Sequence, residues 1–277
     1  MPQHPLLTPD GAPAGPSPAG PRPAVPGRSA PRPRPGSRPR GAADGDRHRH
    51  PLDNPARAAL LGPHAHFAER RGDVLRYPAD VSPFAALPDR PDEETWRDLA
   101  ALFGPGTVLS ATGDPSTVPG HWEIVMHGPG VQLVDDGLRA EPDEEAVRLG
   151  PADVPEMLAL VAHARPGPFL PRTIEFGGYL GIRRGGELVA MAGERLRPPG
   201  WTEISAVCTA ESHRGQGLAT RLVRAVAAGI RERGDTPFLH TSAANSTAIR
   251  LYESLGFRLR RKVTFLGLRV PGGEQGA

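Results

Sequence analysis

The sequence predicts an α/β (α+β) fold over its C-terminal half, a smaller α+β lobe ahead of it, and an extended N-terminal tail. Three observations carry that expectation. Thirteen of the 34 prolines fall within the first 40 of 277 residues. From Val147 onward, short apolar runs with strand periodicity alternate with runs of helical periodicity. Between one such strand and one such helix lies a glycine-rich turn, Arg214-Gly215-Gln216-Gly217.

The tail comes first. Residues 1–50 combine Pro, Gly, Ala and Arg with few large apolar side chains. Such a segment cannot bury enough surface to offset the ordering of its backbone. Eight arginines against three aspartates give it a net +5, which leaves −3 of the overall +2 for residues 51–277. The basic balance therefore belongs to the tail, and charge gives no reason to expect a nucleic-acid partner. Cys208 is the single cysteine, which rules out an intramolecular disulfide and fits a reducing compartment. No apolar leader and no membrane-length apolar run is present. A cytoplasmic protein without membrane contact is expected.

Residues 53–145 predict the small lobe. Asn54, Pro55 and Gly62 suit the cap, first position and exit of a short helix. Val74–Tyr77 reads as a strand. Glu93–Phe103 reads as a helix with Trp96, Leu99, Ala100 and Phe103 on one face, between Asp92 as cap and Gly104 as stop. Trp122–Met126 and Val131–Val134 predict two strands around a turn at Gly128-Pro129-Gly130. The acidic stretch Glu141 to Glu145 reads as a solvated linker or helix start.

Residues 146–270 predict the larger domain. Asp153–His163 is a helix with Val154, Met157, Leu158 and Val161 on one stripe. Tyr179–Ile182 and Leu188–Ala192 are strands joined by a hairpin at Arg184-Gly185-Gly186. Glu203–Thr209 is a strand, Arg221–Arg233 a helix stopped by Gly234, and Phe238–Thr241 a strand. Asn245 caps a helix over Ser246–Leu255, and Gly256 and Phe257 suit a left-handed exit. Val263–Leu266 is the last strand.

The turn at Arg214–Gly217 is the chemically informative segment. A strand, a glycine-rich turn and a helix N-terminus together expose several N–H groups at the positive end of a helix dipole, which suits a pyrophosphate. Gly215 and Gly217 put no Cβ between backbone and ligand. The run lacks the Lys-Ser/Thr ending of a P-loop and the three-glycine dinucleotide spacing. By itself the glycine pair also reads as a plain tight turn.

The wider pattern resembles a known family. Arg214-x-x-Gly217-x-Ala219 is similar to the Arg/Gln-x-x-Gly-x-Gly/Ala signature of the GNAT superfamily of acyl-CoA-dependent N-acyltransferases. Asn245-x-x-Ala248-x-x-Leu251-Tyr252-x-x-Leu255-Gly256-Phe257 is similar to its second hallmark. The resemblance covers roughly 146–270, and the local context is similar to the glycine-N-acyltransferase-like branch. It implies a mixed-sheet GNAT-type acyltransferase fold and acetyl-CoA as acyl donor. It also implies a small-molecule or peptide amine as acceptor, attacking the donor directly in a ternary complex. The strands ending near Thr209 and Thr241 would be parallel neighbours that part to admit the pantetheine arm. Backbone groups of Val207, Cys208 and Thr209 would meet that arm and the reacting carbonyl. The amides of Arg214, Gly215, Gln216, Gly217, Leu218, Ala219 and Thr220 would hold the pyrophosphate. Asn245 would touch the arm while capping its helix. The resemblance further implies Tyr252 as general acid toward the leaving thiolate, although its periodicity alone would also fit a core aromatic.

The sequence leaves other roles open. Glu203 shares a strand face with Val207 and could serve as general base, or it could pair with an arginine. Glu175 and His240 are further candidates. Cys208 has no His or Asp partner at nucleophile spacing and reads as a buried structural thiol. The histidines show no zinc-ligand spacing, so no metal is expected. A rival reading is a non-catalytic acyl-CoA-binding module whose lobe or tail contacts a partner.

Overall fold

Asparagine and proline set the start of regular structure. A short 3-10 turn covers Pro51–Asp53, and then the Asn54 side chain accepts from the Arg57 N–H to cap α1 (Pro55–Leu60). The computed structural model describes residues 50–164 and 166–272. Apart from His50, the segment expected as a tail lies outside these residues.

After α1, three short strands form a small antiparallel sheet in the order β1 (Glu69–Arg71), β2 (Val74–Arg76), β3 (Ala85–Ala86). Helix α2 (Glu93–Phe103) opens with a capping box between Asp92 and Thr95 and buries Trp96 and Leu99. The remaining strands are β4 (Val108–Thr112), β5 (Glu123–Asp135), β6 (Val147–Arg148), β7 (Tyr179–Arg184), β8 (Glu187–Glu194), β9 (Trp201–Thr209), β10 (Thr236–Ser242) and β11 (Phe257–Arg269). They form one eight-stranded sheet ordered β4-β11-β5-β10-β9-β8-β7-β6. Every neighbouring pair is antiparallel except β9 and β10.

Helices cover both faces. Alternate residues of the central strands feed two opposite cores, as the pleat requires. Helix α4 (Leu218–Glu232) sets Leu222, Val223, Val226 and Ile230 on Val131, Leu133, Val189 and Leu239. On the opposite face, α3 (Val154–Ala164) sets Met157 and Leu160 against Tyr179, Met191 and Cys208. The N-terminal segment covers the rest of that face, where Leu52, Leu60 and Tyr77 pack with Val134, Leu196 and Phe238. Helix α5 (Ser246–Leu255) ends at Gly256, which has φ +102° and stops the helix.

Three features differ from the sequence reading. The turn expected at Gly128-Pro129-Gly130 is absent, and β5 runs unbroken through it. β11 pairs along both halves of β5, with Thr264 opposite Pro129. The Pro129 carbonyl accepts from the Ala243 N–H, just past the last paired residue of β10, so its missing N–H breaks no ladder bond. Second, β4 and β5 lie within the 53–145 segment yet join the sheet of residues 146–270, and β5 sits between β10 and β11. A boundary near residue 145 therefore does not divide two sheets. Third, α4 begins at Leu218 and not Arg221, which makes Gly217 its cap and Leu218–Thr220 its first turn.

Candidate active site

The parallel pair β9–β10 is joined only at one end. Trp201–Glu203 pair with Thr236–Phe238, and beyond Glu203 and Phe238 the two strands part. A bulge in β9 lies just beyond that point. Ser205 faces Gly193 and Cys208 faces Met191, so Ala206 and Val207 together oppose a single residue of β8. Ala206 has φ +53°, and no other non-glycine residue among those described has a positive φ. A left-handed alanine costs about 1–3 kcal/mol and persists only where its surroundings fix it. The strain thus falls on the strand that borders the opening.

The glycine-rich turn follows β9 directly. Gly215 and Gly217 have φ +77° and +74°, and a Cβ on either would meet nothing within 4 Å. No side chain caps α4. The N–H groups of its first turn therefore point, with the positive end of the helix dipole, into open space. Asn245 caps α5 through a 3.1 Å bond from the Ala248 N–H.

A cavity of about 470 Å³ occupies the opening. Its first wall is β9 from Glu203 to Val207, β10 from His240 to Ser242, and Asn245 and Tyr252 of α5. The facing wall comes from earlier segments: Pro55, Phe84, Ser110 and Met126, with Phe265 of β11. Tyr252 is buried, and burial pushes its hydroxyl up to about 12. That hydroxyl makes no hydrogen bond to the described residues, so it remains a protonated donor at neutral pH with its proton uncommitted.

Glu203 is fully buried and fully engaged. Arg195 grips it with two bonds, Nε to Oε2 at 2.9 Å and Nη2 to Oε1 at 2.7 Å, and His240 Nδ1 lies 2.7 Å from Oε1. Burial alone would raise the Glu203 carboxyl; the Arg195 charge, its hydrogen bonds and then His240 outweigh burial and hold it well below the usual carboxylate range. Of the two roles open to Glu203 in the sequence, the geometry favours the arginine pair. A carboxylate so held is a weak proton acceptor.

The chain of contacts continues across the sheet. Gln132 on β5, also fully buried, lies between His240 Nε2 at 3.0 Å, the Leu52 carbonyl at 2.9 Å and Arg260 Nη1 at 2.8 Å. Arg260 can only donate and the Leu52 carbonyl can only accept, so the amide has one orientation. Its nitrogen then donates to His240 Nε2, which leaves the His240 proton on Nδ1, donated to Glu203. Arg260 closes the chain on Asp53 at 2.7 Å.

The remaining expected residues fall outside this network. Glu175 pairs with Arg172 on the surface. Cys208 is buried among α3 side chains, and burial pushes its thiol up to about 12. In the acidic stretch, Asp143 grips Arg221 and Glu141 pairs with Arg224, so these carboxylates clamp α4. Among the described residues no group of three or more His, Cys, Asp or Glu is arranged to hold a metal, and no helix is long and apolar enough to cross a membrane. Sequence reasoning missed Arg195, Gln132, Phe84 and Ser110. Gln132, Phe84 and Ser110 reach the site through contacts distant in sequence; Arg195 is only eight residues from Glu203, across the β8–β9 connection, but sits in no local motif.

Comparison with known proteins points to the same segment. The model of the FR47-like protein family matches residues 179–266, which span β7 to β11 and include the parted strands and the glycine turn. The chain is 36% identical over 102 residues to the N-alpha-acetyltransferase RimI of Mycobacterium tuberculosis (strain ATCC 25618 / H37Rv); that match takes in 35% of this chain and 61% of RimI. The solved structure of a GCN5-related N-acetyltransferase from Kribbella flavida shares the fold, with a TM-score of 0.50 at 24% identity over 79% of this chain and 95% of that one. A crystal structure from Novosphingobium aromaticivorans DSM 12444, described as an acetyltransferase of the GNAT family, superposes with a TM-score of 0.74 at 40% identity, covering 80% of this chain and 99% of that one. At that identity over almost the whole of the related protein, the chain belongs to the GNAT family.

Proposed function

We propose that the protein is an N-acetyltransferase that moves an acetyl group from acetyl-CoA to a primary amine in a ternary complex. The observation that carries this reading is the opening between β9 and β10, bordered by the Ala206 bulge and continuous with the glycine turn of α4. The unpaired strand edges suit an extended arm that carries amides of its own. The free N–H groups of Leu218 to Thr220, with Gly215 and Gly217, suit a pyrophosphate.

Acetyl-CoA supplies an activated thioester. The chain supplies the rest. A backbone N–H at Val207, in the bulge, stabilises negative charge developing on the thioester oxygen, while the register of β8 and β9 turns the Cys208 N–H toward Met191; one such donor is worth roughly 3 kcal/mol. Tyr252 gives its hydroxyl proton to the leaving thiolate. Burial supports this role, because it keeps the hydroxyl protonated at neutral pH. Glu203 and His240 act as positioning residues that fix the base of the opening. The apolar facing wall admits the acceptor. The rival reading, a binding module without catalysis, leaves the unpartnered Tyr252 hydroxyl without a purpose.

Calorimetric titration of the full chain with acetyl-CoA, CoA and ATP tests the reading. Micromolar binding of both CoA species and not ATP is expected, followed by thiol release when amines are added. Binding without thiol release across a broad amine panel would favour the module.

A further inference from the structure

The charges of the cavity limit which amines it can acetylate. Four titratable side chains line it among the described residues: Arg195, Glu203, His240 and Tyr252. Their charges cancel. Arg195 and Glu203 neutralise each other through two bonds, and the Gln132 amide leaves His240 as the neutral Nδ1–H tautomer. Tyr252 is protonated. No carboxylate is left over to attract an ammonium group or to take its proton. Arg195 also lies under the Phe84 ring, 5.1 Å from its centroid, so the cation and the apolar wall meet where an acceptor would enter.

An ammonium ion brought into such a cavity loses its hydration and gains no counter-charge. The acceptor must therefore arrive already neutral. Free α-amines have a pKa near 7.8, so about one in seven is neutral at pH 7; alkyl amines of the lysine type, near 10.4, are neutral in only about one in 2,500.

We propose that the acceptor is a weakly basic amine carried on an apolar body, an α-amine of an amino-acid derivative or peptide, and not a lysine side chain or a polyamine. This rests on the acetyltransferase reading. The amine nitrogen forms the new C–N bond as the C–S bond breaks. Tyr252 protonates the departing thiolate, and the proton released from nitrogen passes to solvent water, which also restores the Tyr252 proton.

The test uses the full chain with two amines of similar shape, phenylalaninamide and 2-phenylethylamine, followed by thiol release from acetyl-CoA between pH 6.5 and 9.5. At pH 7, kcat/KM for phenylalaninamide is expected to exceed that for phenylethylamine by about 100-fold or more. The phenylethylamine value should climb about tenfold per pH unit to pH 9, while the phenylalaninamide value levels off near pH 8. A second expectation concerns Ser110→Asp, which adds a carboxylate to the facing wall. It should narrow the preference at pH 7 by tenfold or more. Similar kcat/KM values for both amines at pH 7, or a phenylethylamine profile that levels off below pH 8, would overturn the proposal. So would absence of transfer to both amines while acetyl-CoA still binds. Absence of acetyl-CoA binding in the same calorimeter would overturn the acetyltransferase reading itself, and the proposal with it.

Discussion

The two walls of the cavity are built differently. The β9–β10–α5 wall presents backbone N–H groups, a tyrosine hydroxyl and a neutralised Arg–Glu–His cluster. The facing wall presents Pro55, Phe84, Ser110, Met126 and Phe265, with no charged side chain among those named. One wall has the groups for chemistry, and the other has shape. Substitutions on the first should therefore change stability, cofactor affinity or turnover, whereas substitutions on the second should change only the choice of acceptor.

The largest expected effect concerns Glu203→Gln. Removing the carboxylate leaves the Arg195 charge buried without its partner, which costs about 3–5 kcal/mol. The denaturant midpoint should fall sharply, and any folded fraction should keep measurable turnover. A variant of unchanged stability that has lost all turnover would instead make Glu203 the base, and the positioning role assigned above would fail.

Next is Gly217→Val. At φ +74° a β-branched residue is strained, and its side chain would fill the open space in front of the α4 N–H groups. Acetyl-CoA affinity should drop by about 100-fold, some 2.7 kcal/mol, in calorimetry. Retained affinity would remove the pyrophosphate from this turn. Tyr252→Phe should lower kcat by about 10–100-fold, at or below the usual range for a general acid, and leave acetyl-CoA affinity unchanged. It removes only a hydroxyl that makes no bond in the described protein. Unchanged turnover would return Tyr252 to a purely packing role beside Phe257, whose ring lies 6.0 Å away.

The same division explains what the sequence could reveal. The chemical wall was legible because its parts are local. Gly217 before an amphipathic helix and Asn245 as a cap each lie within one element and its signal, whereas Tyr252 stands out only through the family resemblance, its periodicity fitting a core aromatic equally. Its buried cluster was only half legible. Glu203 shares a strand face with Val207 and so invites a role, but no local signal marks Arg195, just past the end of β8, as its partner, and Gln132 belongs to a strand about 70 residues earlier. The facing wall was illegible. Phe84 and Ser110 meet through an isolated bridge, and β4 enters the sheet only by pairing with the last strand, β11. Such contacts depend on register between distant segments, for which composition and periodicity carry no signal. The β5 turn failed for a related reason. Gly-Pro-Gly punctuates a chain strongly, and only the long partner β11, together with the end of β10 at Ser242, makes an unbroken strand the better arrangement.

The smallest expected effect tests the facing wall. Phe84→Ala removes a ring that lies over Arg195 and lines the cavity, and touches neither the glycine turn nor α5. A cation–π contact to a largely buried arginine is worth about 1–2 kcal/mol to the protein, and a lost aromatic face costs an apolar acceptor about 1 kcal/mol. The acceptor KM should rise by roughly three- to tenfold for an aromatic amine and less for a small one, at unchanged acetyl-CoA affinity. The sign of selectivity matters more than the size. If the aromatic and the small amine lose equally, Phe84 stabilises Arg195 and does not read the acceptor, and selection lies elsewhere on the wall. If acetyl-CoA binding falls with them, the two walls act as one, and the separation of shape from chemistry does not hold.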